Sequence, residues 1–440
     1  MTKELGPLCH SSHRYIYKGE QYYINGCSMS GNREVDLLFC DRSSDGRCAV
    51  VTNKQEYETK NCLKTIALLI SQKCNMACTY CYADGGEYGE AGSMSYDIAK
   101  RAVDLLVRNS ELDTDLAIIF FGGEPLLEFK LIRQITFYAK AQCVKFSRKV
   151  SFSITTNGSL LKDDRLLFFK LNSFNVMVSI DGGKKTQDAQ RPFKDGRGSY
   201  EQIIPMVRKL LKLLPDSPAR ATYTGEYFTP LEIRNDLHKV GFKHTGIAMA
   251  SGTLFDHKDR NKAPNGIIRL LEEDADALLI AINDRRSDLM DLDISLLNYL
   301  LQFIQKEKSY YPCGAGRGLI AVSSNGDIYP CHRFVGMPKY RIGKIGSDEN
   351  IRASLFNVSP LQVSEKCFSC FAKFLCGGAC YHDSFTENGS LYEPDEDLCK
   401  IMKRTMELIV FIKSQLNEED LNFLSMTISE SDDVCGLDFF

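Results

Sequence analysis

From about residue 64 the chain alternates short runs of apolar and β-branched residues with segments whose apolar positions recur every three to four residues. That alternation is the pattern of parallel strands joined by crossover helices. The runs TIALLIS (65–71), AIIFFGG (117–123), VSFSITTNG (150–158), NVMVSIDG (175–182), ARATYT (219–224) and TGIAMA (245–250) predict six strands. Helical periodicity predicts helices over 95–109, 128–142 and 199–214, and these connections are long enough for parallel pairing. The fold class that follows is α/β, a partial (β/α)6 TIM-like barrel. In such a barrel, reactive groups gather in loops at the carboxyl ends of strands.

Outside this stretch the pattern changes. Residues 1–63 are rich in Tyr and Gly with hairpin-like alternation and suggest a β-rich segment without an assignable role. The barrel spans 64–258, and a charged helical linker follows over 259–308. Over 309–400 Gly, Cys and aromatic residues displace regular periodicity around an expected hairpin, LIAVSSNGDIYPC (319–331), turning at Asn325-Gly326. Residues 401–440 read as a helix and an acidic tail. Helical periodicity is missing from 1–63.

Charge narrows the function classes. With 54 basic and 57 acidic residues the chain offers no global positive field for a nucleic-acid backbone. No run of membrane-spanning length occurs, and the first thirty residues hold no apolar stretch of signal-peptide size, so a cytoplasmic location is expected. In that compartment 17 cysteines call for metal or cluster ligation rather than disulfides. Cys9, Cys27, Cys40, Cys48, Cys62, Cys143 and Cys435 show no ligand-like spacing and are read as buried or incidental thiols.

Cys74-Asn-Met-Ala-Cys78-Thr-Tyr-Cys81 sets three thiolates within one loop directly after a strand. A cubic four-iron cluster offers four corners, so three ligands leave one iron open to a small molecule, and soft thiolates favour iron-sulfur or zinc. A structural zinc site completed from elsewhere is the alternative for the trio alone. Phe-Phe-Gly122-Gly123-Glu124-Pro, Thr156-Asn157-Gly158, Ser179-Ile-Asp181-Gly182 and Arg191 follow successive strand candidates, although each could be only a turn signal. In this order they resemble the radical S-adenosylmethionine (SAM) superfamily over about residues 64–250. The resemblance implies a cluster on Cys74, Cys78 and Cys81 whose open iron is chelated by the amino and carboxylate groups of SAM. It further implies a cofactor contact at Tyr80, contacts to the amino group at Gly122, Gly123 and Glu124, to the ribose at Asn157 and Ser179, and to the carboxylate at Arg191.

Further on, Cys313 and Cys331 precede Cys367-x2-Cys370-x5-Cys376-x3-Cys380, and Cys399 closes the array. Zinc knuckles would suit parts of this string. As a whole it resembles the SPASM extension of radical SAM enzymes that mature peptides and proteins, which holds auxiliary clusters. The resemblance implies three 4Fe-4S clusters in all: Cys313, Cys331 and Cys380 would hold the first auxiliary cluster, and Cys367, Cys370, Cys376 and Cys399 the second. Seven thiolates leave one of eight corners without a cysteine, and the stretch QKEKSYYP (305–312) supplies none. An open iron there would suit a substrate cysteine, and closure by a cysteine such as Cys62 or by an oxygen or nitrogen side chain is the alternative.

The expected activity is therefore a peptide maturase forming thioether crosslinks in cysteine-rich ribosomally made peptides, of ranthipeptide or sactipeptide type. Its partners would be a cysteine-containing precursor peptide and an electron donor such as flavodoxin or ferredoxin, with no nucleic acid and no membrane. Sulfatase maturases of the same class carry an acidic residue immediately after the cysteine matching Cys331, where this chain has His332, and that favours thioether formation over formylglycine. Carbon-carbon crosslinking, or a non-catalytic iron-sulfur or zinc protein, are the other outcomes.

Overall fold

The computed structural model describes residues 12–25, 29–30, 34–35, 63–111, 114–225, 228–251, 263–289, 292–305, 307–346 and 356–430. Cys9, Cys27, Cys40, Cys48, Cys62, Cys435 and most of the expected acidic tail lie outside the described residues. The chain divides into two compact units, one of residues 60–256 and 314–358, the other of residues 1–59, 257–313 and 359–440.

A four-stranded antiparallel sheet begins the chain, with strands β1 (Ser12–Tyr17), β2 (Glu20–Asn25), β3 (Met29–Ser30) and β4 (Glu34–Val35). In the unit of residues 60–256 and 314–358, all six expected strands form. They are β5 (Thr65–Gln72), β7 (Leu116–Gly122), β8 (Val150–Thr156), β9 (Phe174–Ser179), β10 (Ala219–Tyr223) and β11 (Thr245–Met249), with the two-residue β6 (Gly92–Ser93) lying beside β5. The six pair in parallel and in chain order. Ile66, Ala67, Leu68, Leu69 and Ile70 of β5 are all buried, as a central strand covered on both faces requires. Phe120, Phe152 and Phe174 stack across β7, β8 and β9 with ring centroids 6.3 Å and 5.3 Å apart, which ties the strands through their side chains.

Helices α1 (Tyr96–Arg108), α2 (Phe129–Lys145) and α5 (Tyr200–Leu213) match the periodic segments, and α3 (Asp163–Leu171), α4 (Lys184–Gln190) and α6 (Pro230–Val240) complete the crossovers. Ser95 starts α1 by accepting a hydrogen bond from Ile98 N at 3.2 Å, which satisfies one orphan amide of the first turn.

The expected hairpin also forms, as β12 (Leu319–Val322) and β13 (Asp327–Tyr329), followed by β14 (Gly343–Lys344). Its turn differs from a two-residue connection. Ser323 N bonds Asp327 O at 2.9 Å and Gly326 takes φ 89°, so Asn325-Gly326 forms the end of a three-residue turn with glycine at the left-handed position. The hairpin does not stand alone: β12 pairs in parallel with β5, from Leu319 opposite Thr65 to Val322 opposite Leu68.

In the other unit, the expected linker is broken into α7 (Ala263–Asn283) and α8 (Leu296–Ile304), and α9 (Tyr381–Asn388), α10 (Glu396–Gln415) and α11 (Glu418–Glu430) follow. Helix α7 packs along α10. The first hairpin is fastened to α10, because Tyr15 Oη donates to Glu407 O at 2.8 Å and His13 Nε2 lies 2.5 Å from Glu407 Oε1. Arg404 bonds Glu272 and Glu407 while its guanidinium lies 4.7 Å from the centre of the Tyr17 ring. No helix among the described residues is long and apolar enough to cross a membrane.

Candidate functional site

The carboxyl end of β5 runs straight into Cys74, and the loop to Cys81 is held by two neighbouring segments. On one side it runs against residues 190–194: Ala77 N bonds Pro192 O at 2.8 Å, Thr79 N bonds Gln190 O at 2.9 Å and Lys194 N bonds Asn75 O at 3.1 Å. Met76, itself buried, pairs with Phe193 within this clasp. On the other side Asn157, at the end of β8, donates through Nδ2 to Asn75 Oδ1 at 2.9 Å and lies 3.8 Å from Cys74 Sγ.

Gly122 and Gly123 allow a close backbone approach, and the approaching group is the chain's own. Gly123 N bonds Ser71 O and Glu124 N bonds Lys73 O, each at 2.8 Å. A Cβ at Gly122, whose φ is 136°, would sit 2.1 Å from Ser71 O, and one at Gly123 would sit 2.4 Å from Lys73 O. Glycine is therefore required here for the cysteine loop to close against β7.

Glu124 is completely buried, and both carboxylate oxygens are engaged. Oε1 accepts from Leu126 N at 2.9 Å and Thr156 Oγ1 at 2.8 Å, and Oε2 accepts from Asn157 N at 2.8 Å. Burial raises its pKa while these donors pull it down. The carboxylate thus fixes the ends of β7 and β8 against each other. Glu124→Gln would turn an amide N–H toward one of these donors at a cost of about 3 kcal/mol. The expected result is an apparent Tm lower by several degrees in thermal unfolding.

A second buried centre stands opposite. Asp181, just beyond β9, is fully buried; its Oδ2 accepts from Tyr80 Oη at 2.5 Å, and its Oδ1 accepts from Thr222 N at 3.0 Å. Arg191 Nη1 donates to Tyr80 Oη at 2.5 Å and lies 3.6 Å from Asp181 Oδ1. Ser179, the last residue of β9, is half-buried beside this centre. The sequence pattern singles out Tyr80, Ser179 and Arg191 and includes Asp181 only as a member of the Ser179–Gly182 motif, and its role as the shared acceptor is set by burial that no local signal reveals. The clasp of residues 190–194 was likewise without a sequence signal.

The thiols sit in an environment that asks for a positive partner. Burial pushes Cys74 up to about 11 and also raises Cys78, while the Arg191 guanidinium draws both back down. A cluster with SAM fits these residues on two counts. Three thiols project from one closed loop, and Arg191 Nε is buried without a hydrogen-bond partner, a donor suited to an anionic group.

In the other unit Cys367, Cys370, Cys376 and Cys399 lie close enough to influence one another's ionisation. Burial pushes Cys376 and Cys399 each up to about 12. Cys399 occupies the first turn of α10, whose amide dipoles favour a thiolate. Gly377 has φ 68°, and a Cβ there would meet Tyr311 O at 2.3 Å, so both backbone conformation and space call for glycine. His13 stacks on Phe371, next to Cys370, with centroids 4.3 Å apart. Cys313 and Cys380 belong to this unit and Cys331 to the one containing β5. His332 packs on Phe121 at 4.4 Å between ring centres. Cys143 is buried in α2, as expected of an incidental thiol.

Comparison with known proteins agrees with this geometry. Residues 68–240 match the model of the Radical SAM superfamily. The chain is 26% identical over 358 residues to the serine-type anaerobic sulfatase-maturating enzyme of Bacteroides thetaiotaomicron, covering 74% of this chain and 84% of that protein. It is 24% identical over 338 residues to the antilisterial bacteriocin subtilosin biosynthesis protein AlbA of Bacillus subtilis, covering 72% and 67%. Among solved structures, native anSMEcpe with bound AdoMet and Cp18Cys peptide has the same fold, with a TM-score of 0.64 at 20% identity over 84% of this chain and 99% of that one.

Proposed function

We propose that this chain, which carries a radical SAM domain over residues 68–240, is a peptide maturase that joins cysteine sulfur to carbon in a ribosomally made precursor peptide. The observation that carries the first part is the closed Cys74–Cys81 loop, clasped by residues 190–194 with Arg191 Nε left as an unpartnered buried donor. When bound, a 4Fe-4S cluster with SAM supplies a one-electron cleavage whose 5'-deoxyadenosyl radical takes hydrogen from an unreactive carbon.

The chain's own residues do the rest. Cys74, Cys78 and Cys81 would ligate three irons, and the glycines at 122 and 123 let their loop sit against β7. Arg191 would hold the SAM carboxylate, backbone and carboxylate groups at Gly122, Gly123 and Glu124 its amino group, and Asn157 and Ser179 its ribose, with Tyr80 beside them. The six parallel strands act as a partial (β/α)6 barrel, and residues 309–400 as a SPASM extension. There Cys313, Cys331 and Cys380 would hold the first auxiliary cluster, leaving a corner for a substrate thiolate, and Cys367, Cys370, Cys376 and Cys399 the second. Flavodoxin or ferredoxin would supply electrons in the cytoplasm.

The relatives' own names speak for peptide and protein substrates, since one is a sulfatase-maturating enzyme and another serves bacteriocin biosynthesis. The first of these also favours a second reading, formylglycine formation. The two are separated by anaerobic incubation with a cysteine-containing precursor peptide, followed by thiol alkylation and tandem mass spectrometry. Thioether formation leaves the peptide lighter by a pair of hydrogens per crosslink, with its sulfur retained and one thiol no longer alkylated. Replacement of cysteine sulfur by oxygen would instead identify formylglycine, and unaltered thiols would remove the thioether reading.

A further inference from the structure

The hydroxyl of Tyr80 has a place that cluster ligation alone does not require. Tyr80 lies between two of the cluster cysteines, yet its side chain reaches out of the loop to join Asp181 and Arg191. Asp181 is held on both oxygens, by Tyr80 Oη and by Thr222 N, and its own amide donates to Gln187 Oε1 at 2.9 Å. Gln187 in turn anchors Arg191, whose backbone N bonds Gln187 O at 2.8 Å. The guanidinium is therefore fixed at Nη1, and Nε is the buried donor without a partner.

We infer that Tyr80 is a positioning residue: through its hydroxyl it orients Arg191 so that the Nε side of the guanidinium is presented to the carboxylate of SAM. This rests on the proposed assignment of residues 68–240 to SAM chemistry and adds a coupling between two parts of that site. A guanidinium has several donors on a flexible stem, and its affinity for a carboxylate depends on one side being held ready. Here the hold comes from the cluster loop itself. The anion site is complete only when the loop has closed on residues 190–194, so cluster assembly and cofactor affinity are linked through one hydroxyl group.

A double-substitution cycle tests this with binding rather than turnover as the readout. Wild type, Tyr80→Phe, Arg191→Lys and the double variant are reconstituted anaerobically, their iron is counted, and SAM affinity is measured by anaerobic equilibrium dialysis. Tyr80→Phe is expected to keep the full iron content and to bind SAM roughly tenfold more weakly, and Arg191→Lys roughly a hundredfold more weakly. Because Tyr80 acts through Arg191, the double variant should bind about as weakly as Arg191→Lys alone. Unchanged affinity in Tyr80→Phe, or losses that multiply in the double variant, would overturn the inference while leaving the SAM assignment intact. A wild-type protein with full iron that takes up no SAM would instead remove the assignment itself. If Tyr80→Phe loses iron, Asp181→Asn, which lies outside the cysteine loop, takes its place in the cycle with the same expected outcomes.

Discussion

Replacing Cys74, Cys78 and Cys81 together by alanine is expected to remove about four of the roughly twelve irons that the three proposed clusters would carry and to lower SAM cleavage by at least about 10⁴-fold. The three side chains lie in one loop between β5 and the 190–194 clasp, and no other cysteine among the described residues occupies that loop. Cys367, Cys370, Cys376 and Cys399 form a separate group in the other compact unit, so their share of iron should survive. Iron and sulfide analysis of the anaerobically reconstituted variant, with product quantified by chromatography, checks both parts. Loss of all iron would mean that the groups do not assemble independently.

The next largest effect is expected from a single methyl group. Gly122→Ala places a Cβ 2.1 Å from Ser71 O at a φ of 136°, and the obstacle is backbone, which cannot swing aside. The strain and the collision together cost about 3 kcal/mol or more if the loop is to stay closed. The loop opens instead, and the hydrogen bond from Gly123 N to Ser71 O is lost with it. The variant should lose about four irons and bind SAM at least about 100-fold more weakly while the other unit's cysteines keep their cluster. Gly196→Ala is the companion control for backbone conformation alone. Gly196 also has a positive φ, 83°, but open space around its Cβ position, so it should retain its iron.

The strands were legible because their burial is written locally. Between Thr65 and Ser71 the run IALLI is unbroken apolar sequence, as a strand covered on both faces requires, and Phe120 and Phe152 lie in two successive runs, with Phe152 opposite Phe174 just ahead of the next. Strand β12 was legible as half of a hairpin but not as a neighbour of β5, since pairing Leu319 with Thr65 spans more than half the chain and leaves no periodic trace. The same holds for the first hairpin, whose Tyr15 and His13 find Glu407 on a helix near the other end of the sequence.

Within the site, spacing made the cysteines and the glycines stand out, because three thiols in eight residues and a GGE after a strand are local facts. The resemblance assigns Glu124 to the amino group of SAM; in the structure its oxygens accept from Leu126 N, Thr156 Oγ1 and Asn157 N. Asp181 stands out in the sequence only as a member of the Ser179–Gly182 motif. What makes it central is the meeting of β9, β10 and the cysteine loop around a carboxylate taken out of water, and such a meeting depends on the tertiary fold.

The most direct measurement is the yield of 5'-deoxyadenosine from the anaerobically reconstituted wild-type chain incubated with SAM and a strong one-electron reductant. The expected result is cleavage of SAM to methionine and 5'-deoxyadenosine by protein carrying its full iron content. Intact SAM recovered from such a preparation would contradict the assignment of Cys74, Cys78 and Cys81 to radical chemistry.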